Sequence, residues 1–517
     1  MYAIQTEPTR TQQRPNTRPS DELQIAVTFK RKIDNLGPTK TQARLSAASI
    51  HSFAPDPFDV DNAIQELKRV GFTLSRRGRM SLSVRGSRVT FEKVFGTQLA
   101  TFRISRAQNA PVHSFYFPAT GAPWSPNPAL AAMIDDAYIQ WPHIYMAGRA
   151  KTRKRPKGTS SGAGGPSATP PNVSYFHLEM PDDVSSLLNA TQVHRQGTTG
   201  KGVKVAMIDS GFAHSHPFFD AHGFHSTVDL APGVRSSSTD GNGHGTGEST
   251  NIFSAAPGAT FIGIKVDNDG PNEPGASILE GFQQAIQHKP QVISVSLGYD
   301  LVETDPTTGA RTSDKHLTTL PRNLVALEAE IQAAVAAGTV VVFSAGNGHV
   351  SFPGMMPEVI SAGGVFVDAQ GNMRASDYAS AFESRIYSGR HVPDFCGLVG
   401  LLPNADYIML PIPSGCEIDR ENSAHDETTA SDAWGVFSGT SAAAPQLAGV
   451  CALLLEKNPG LSPSDIKSIL RRTAKDVLVG HANPASNNGD PALQAGSGDD
   501  GATGAGLIDA FEAWKQV

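Results

Sequence analysis

Leu23, Ile25, Val27 and Phe29 alternate as one face of a strand, whereas Ile64, Leu67 and Val70 recur at helical spacing and stop at Gly71. Met80, Leu82 and Val84 alternate again, and a short helix is expected to end near Phe95 and Gly96. Strand, helix, strand, helix, strand in this order predicts a small two-layer α+β domain, of ferredoxin-like type, over residues 21–147. Farther along, the pattern changes. Val203–Ile208, Phe261–Val266, Val292–Leu297 and Val340–Phe343 are nearly unbroken apolar runs separated by helical segments. Such runs mark strands buried on both faces, so residues 173–517 are expected to form an α/β domain with a parallel sheet covered by helices on both sides. Ser462, Pro463 and Asp465 mark the start of one helix near the end of the chain.

Two segments fall outside this patterning. Residues 1–20 are a polar tail without the apolar core of a secretory signal, which predicts either cytoplasmic residence or export by an unconventional route. Residues 148–172 hold Arg149, Lys151, Arg153, Lys154, Arg155 and Lys157 among Gly, Ser and Pro, too little apolar surface to order itself. This stretch reads as a linker between domains and a place for proteolytic processing. The net charge of −6 argues against a general nucleic-acid binder, and no apolar stretch reaches the roughly 20 residues of a membrane span. Cys396, Cys416 and Cys451 lack zinc-type spacing and are expected to be free thiols.

The candidate chemistry lies at the ends of the apolar runs. Asp209 follows Val205–Ile208 and precedes Ser210-Gly211, which puts its carboxylate at the carboxyl end of a central strand, where open α/β sheets gather their ligands. His244 sits in Gly-Asn-Gly-His-Gly-Thr-Gly, a loop whose glycines permit close backbone approach. Ser441 sits in Phe-Ser-Gly-Thr-Ser-Ala-Ala-Ala-Pro, a tight turn leading into a small-residue helix. An aspartate to orient an imidazole, an imidazole to take a proton and an exposed serine hydroxyl are the parts of an activated nucleophile. Asn347, in Ser-Ala-Gly-Asn-Gly, adds a side-chain amide able to donate to an oxyanion.

In this order, Asp209-Ser210-Gly211, His244-Gly245-Thr246, Asn347 and Gly439-Thr440-Ser441 resemble the subtilisin-like serine peptidases over roughly Val203 to Leu454. The resemblance implies that Ser441 attacks a peptide carbonyl, His244 is the general base, Asp209 orients it and Asn347 binds the oxyanion. It also implies that Ser296, Leu297 and Gly298 pair with substrate backbone as an added strand. The two ends of the chain resemble the sedolisin and kumamolisin branch of the same fold, through Val84-Arg85-Gly86-Ser87 and Val94-Phe95-Gly96 in an activation domain. That branch carries a helical glutamate and aspartate four residues apart, counted back from an Ala-Pro-Gly-Ala segment. Here that segment is Ala256–Ala259, and the corresponding positions are His244 and Glu248. Histidine in place of glutamate implies a neutral-pH base. Glu248 is placed either to touch His244 or a neighbouring acid, or simply to face solvent on the helix. The same branch implies a Ca2+ site from the side chains of Asp476 and Asp500 and the carbonyls of Val477, Gly496 and Gly498.

The expectation is a serine endopeptidase made as a zymogen, acting on protein or peptide substrates, with its own N-terminal propeptide as intramolecular inhibitor or chaperone. The alternative is a catalytically silent peptide-binding protein of the same fold.

Overall fold

The computed structural model describes residues 20–31, 35–40, 45–105, 112–119, 121–145, 165–270, 273, 275–305 and 311–517. Most of the expected linker therefore lies outside the described residues.

The N-terminal domain contains β1 (Glu22–Phe29), α1 (Pro57–Arg69), β2 (Thr73–Arg77), β3 (Ser81–Ser87), α2 (Arg88–Phe95), β4 (Leu99–Ser105), β5 (Val112–Pro118), α3 (Pro128–Met133) and β6 (Ile134–Ile139). Its sheet runs β2-β3-β1-β6 and is antiparallel throughout, while β4 and β5 form a separate hairpin. Ile25, Val27 and Phe29 of β1 pack with Ile64 and Leu67 of α1 and Phe91 and Phe95 of α2 in one core. Asp56 caps α1 by accepting from Phe58 N, and Ser87 caps α2 by accepting from Thr90 N.

The second domain is built on β7 (Lys204–Asp209), β8 (Ser226–Leu230), α4 (His244–Ala255), β9 (Thr260–Lys265), α5 (Ile278–Ala285), β10 (Val292–Val295), α6 (Val325–Ala336), β11 (Val340–Ser344), β12 (Ile360–Val367), β13 (Met373–Ala375), β14 (Phe395–Leu398), α7 (Thr440–Lys457) and α8 (Pro463–Thr473). The sheet order is β13-β12-β11-β10-β7-β9-β8, and β14 also pairs with β12. All pairings are parallel except that of β13 with β12. Alternation along β7 explains its unbroken apolar sequence. Val205 and Met207 enter the core that contains α4 and α7, and Ala206 and Ile208 enter the core that contains α5 and α6.

Helices α4 and α7 cross closely beneath the sheet edge that carries the candidate chemistry. A Cβ on Gly449 of α7 would lie 2.6 Å from Ala255 Cβ and 2.9 Å from Ile252 O of α4. Only glycine allows that approach. On the opposite face, the N-terminal sheet docks on α5 and α6, where Arg85 pairs with Glu280 at 3.0 Å and Ser83 Oγ donates to Gln283 Oε1 at 2.7 Å. The chain leaving β6 then runs back toward the sheet edge.

Candidate active site

Parallel pairing of β7 with β9 aligns Asp209 with Lys265, so both strands end at one edge. Asp209 is fully buried there, and its Oδ1 accepts from Ser210 N at 2.7 Å and pairs with His244 Nδ1 at 2.8 Å. His244 is the first residue of α4, presented by Gly243 at φ +97. Gly245 permits the contact, because a Cβ there would sit 2.3 Å from Gly211 O and 2.9 Å from Asp209 Cβ.

Asp240 fixes the loop that carries His244. Its buried carboxylate accepts from Gly243 N, Thr246 N, Thr246 Oγ1 and Ser210 Oγ at 2.7–3.0 Å. No capping pattern singles out this residue in the sequence, because the N-cap position before His244 is Gly243.

Ser441 is the second residue of α7, after Gly439. Thr440 N donates to Asn347 Oδ1 at 3.0 Å, and Thr440 Oγ1 accepts from Gly346 N at 3.0 Å, which locks the turn against the end of β11. A Cβ on Gly439 would lie 2.7 Å from Asn347 Nδ2, so the amide nitrogen stands beside the turn that presents the serine. Ser296 Oγ donates to Ser441 O at 2.9 Å. Asp209, His244, Ser441, Asn347 and Ser296 are thus assembled at one edge. Among the described residues, the Ser441 hydroxyl makes no hydrogen bond, to His244 or to any other group.

Electrostatics favour a charged His244 in the closed chain. Burial opposes the imidazolium, but the adjacent Asp209 charge and hydrogen bond, with Glu248 and Asp240 nearby, outweigh it and raise the pKa to about 9. Glu248 is not solvated: it is 1% exposed. Burial and the Asp209 charge push its carboxyl up, to about 8, against the opposing pull of His244 and the Asn251 hydrogen bond. A buried polar chain leads away from it. Asn251 Nδ2 donates to Glu248 Oε2 at 3.0 Å, Gln446 Nε2 donates to Asn251 Oδ1 at 2.9 Å, and Leu398 N donates to Gln446 Oε1 at 2.7 Å. It ties α4 to α7 one to two turns below His244 and Ser441.

Gly298 forms an antiparallel bridge with Ile144, through Ile144 N to Gly298 O at 3.1 Å and Gly298 N to Ile144 O at 3.4 Å. The following Tyr145 ring lies 5.1 Å from the His244 ring. A segment of the chain itself therefore pairs with Gly298 at a single bridge beside the histidine, in the manner of an added strand. Leu297 is buried in the core behind it.

At the far end of the domain, Gly498 N donates to both oxygens of Asp476 at 3.1 Å. Asp500 accepts from Gly496 N, Ala502 N, Thr503 N and Thr503 Oγ1 at 2.7–3.0 Å. These segments converge, with Val477 buried next to Asp476. Among the described residues, no group of three or more His, Cys, Asp or Glu side chains gathers as a metal cluster.

A sequence profile described as Subtilase family matches residues 200–503, more than half of the chain and all of the segments just described except the N-terminal domain and its connection. The chain belongs to the subtilase family. Among curated relatives of this subtilase, Subtilisin E of Bacillus subtilis is 28% identical over 305 residues, and Serine protease AprX of the same species is 30% identical over 328 residues. Each match covers 56% of this chain and 65% of the relative, so the chain spans less than two thirds of the length of these proteins. The crystal structure of fervidolysin from Fervidobacterium pennivorans, titled a keratinolytic enzyme related to subtilisin, aligns with a TM-score of 0.54 at 18% identity. That alignment covers 96% of this chain and 62% of fervidolysin, and it supports the fold of the subtilase domain. The described helices include none long and apolar enough to cross a membrane. Cys396, Cys416 and Cys451 are buried and free.

Proposed function

We propose that this subtilase is a serine endopeptidase synthesised as a zymogen. The observation that carries the reading is the convergence of the Asp209–His244 pair, the helix-borne Ser441 and a groove holding a backbone strand of the chain itself. In the proposed reaction, Ser441 Oγ attacks a peptide carbonyl as His244 Nε2 takes its proton. Asp209 accepts from His244 Nδ1 and holds the imidazole in the tautomer that leaves Nε2 free to act as base. The oxyanion is received by the Asn347 side-chain amide and the Ser441 backbone N–H. Protonated His244 then gives its proton to the leaving amine, and water, deprotonated by the same imidazole, releases the acyl group from Ser441.

Residues 21–147 act as the propeptide in this reading, akin to the activation domain of the sedolisin branch. The domain docks on α5 and α6 and pairs Ile144 with Gly298, so in this reading it excludes substrate until it is cut and released. The strand at Gly298 points processing toward bonds following Tyr145, close to the linker where cleavage is expected from composition. Asp476 and Asp500, with the carbonyls of Val477, Gly496 and Gly498, form a hard-oxygen donor set that fits Ca2+. When bound, Ca2+ would supply charge neutralisation and a cross-link for this C-terminal loop, and no step of the reaction involves it.

The test is intact mass spectrometry and casein hydrolysis with wild type and Ser441→Ala near neutral pH. Wild type is expected to shed residues 21–147 and degrade casein, and the folded variant to do neither. Equal turnover by Ser441→Ala overturns the assignment, and a wild type that binds peptides but cleaves none supports a catalytically silent binder.

A further inference from the structure

Asn347 sits in a turn whose own backbone is loose. Gly346 and Gly348 flank it at φ +101 and +82, where other residues are strained and glycine is free. On the amino side the turn is held from the core, by Gly346 N donating to Thr440 Oγ1 and Ser380 N donating to Gly346 O at 2.8 Å. On the carboxyl side it meets a hairpin outside the main sheet, Val302–Thr304 paired with Arg311–His316. Arg311 Nη1 donates to Gly348 O at 2.8 Å, and Arg311 Nη2 donates to Ala485 O. Asp300 Oδ2 stands 3.6 Å from the same Nη1, and Asp300 Oδ1 accepts from Val350 N at 2.8 Å. Between these two grips, Ser380 Oγ accepts from His349 N and donates to His349 O.

The hairpin has anchors besides Arg311. His316 N donates to Asn488 Oδ1 at 3.0 Å, Leu317 N donates to Leu301 O at 2.9 Å, and the preceding Tyr299–Asp300 pairs with Ser351–Phe352. The bond from Arg311 to Gly348 is instead directed at the peptide unit next to Asn347, and its donor is charged, which makes it stronger than a neutral pair. An oxyanion donor must be held where charge will develop, and a misplacement of about 1 Å can cost about 100-fold in rate. On the reading that Asn347 receives the oxyanion, we propose that Arg311 is a positioning residue for Asn347. It acts through the Gly348 peptide to keep the Asn347 amide aimed at the oxyanion, so its loss is felt in the transition state and not in substrate binding.

The test is a double-mutant cycle of Arg311→Met and Asn347→Ala in the full chain after its own processing, with kcat and KM measured on a peptide p-nitroanilide that wild type cleaves. For a variant too slow to finish processing, the initial rate of linker cleavage, followed by intact mass, supplies the same ratio. With Asn347 in place, Arg311→Met is expected to lower kcat about 10-fold and leave KM within about two-fold, less than the full loss of the amide because Thr440 and Ser380 still hold the turn. In the Asn347→Ala background the same change should alter kcat by less than about two-fold. A residue that only fastens the hairpin would lower Tm and act equally in both backgrounds. Arg311→Gln serves the same cycle if the methionine variant does not fold. Equal losses in both backgrounds, a change in KM alone, or an unchanged kcat overturn the role of Arg311 and leave the peptidase reading intact. Full activity in Asn347→Ala overturns the oxyanion reading and this inference with it, and a wild type that cleaves neither casein nor peptide overturns the peptidase reading as well.

Discussion

Truncating Glu330 is expected to loosen the N-terminal domain from the catalytic domain. The Glu330 carboxylate, fully buried between α6 and the turn from β2 to β3, accepts from Met80 N at 2.9 Å, Ser81 N at 2.9 Å, Ser81 Oγ at 2.7 Å and Arg79 N at 2.9 Å. Hydrogen bonds to a charged group contribute about 1.5–3 kcal/mol each, and a naive sum over four gives about 6–12 kcal/mol. The measurable loss is smaller, because the donors regain water when the domains separate. Truncating one partner of a buried charged set costs about 2–5 kcal/mol. Burial also pushes the Glu330 carboxyl above its ordinary range despite the four donors, so desolvation already offsets part of their gain. The lower half of that range, about 3 kcal/mol, is the expected cost of Glu330→Ala, or about 150-fold in the docking equilibrium. The assay is native-state hydrogen exchange in a Ser441→Ala background, which keeps the chain uncut. Amides of Met80 and Ser81 should exchange about two orders of magnitude faster, while those of β1, in the centre of the N-terminal sheet, stay protected. Unchanged exchange at Met80 and Ser81 would refute the reasoning, as would equal acceleration across the whole domain, which would indicate a folding defect.

Three other outcomes are expected. Asn347→Ala should lower kcat by about 100- to 1000-fold with little change in KM, since in the proposed reaction the amide serves the oxyanion and not the ground state; steady-state kinetics on a peptide checks this. Glu248→Gln should move the acid limb of the kcat/KM profile to lower pH by about one unit. An anionic Glu248 raises the His244 pKa, and His244 acts as base only when deprotonated, so activity climbs with pH through that pKa and climbs earlier once the carboxylate is gone. Superimposable profiles would remove Glu248 from the site's electrostatics. Chelation of Ca2+ should lower Tm by several degrees in wild type and have no effect in Asp500→Asn, followed by calorimetry, because a ligand bound only to the folded state at about 100 times its Kd adds about 2.7 kcal/mol.

The sheet was legible because burial on both faces leaves a strand no room for polar alternation. Val203–Ile208 and Val340–Phe343 hold that signature on their own, without help from neighbours. The start of α8 was equally local, since Ser462 and Asp465 form their reciprocal cap within four residues. Asp209, His244, Asn347 and Ser441 were named from strand-end and glycine-loop patterns, and the structure brings all four to one edge. What escaped the sequence was set by distant segments. The hairpin of β4 and β5 and the antiparallel strand β13 carry no pattern that assigns them to an edge. Glu248 looked equally suited to solvent, because i, i+4 spacing states which residues share a helix face and not what covers it. Asp267 has no local motif at all, and its contacts with His143 and Tyr145 span more than a hundred residues of sequence.

Burial of α4 from end to end is the key to that last kind of residue. A helix with no solvent face cannot be amphipathic, and every polar side chain on it must find its partner inside the protein. Thr246 does so through Asp240, and Asn251 through Glu248 and Gln446. Gly449 brings α7 close enough for the last of these links to form. Packing and polar satisfaction are therefore one constraint here. The contact that lets two buried helices cross also holds their first turns, which carry His244 and Ser441, in fixed relation. In this fold Ser441 and His244 are held from beneath, by buried side chains of the helices that carry them.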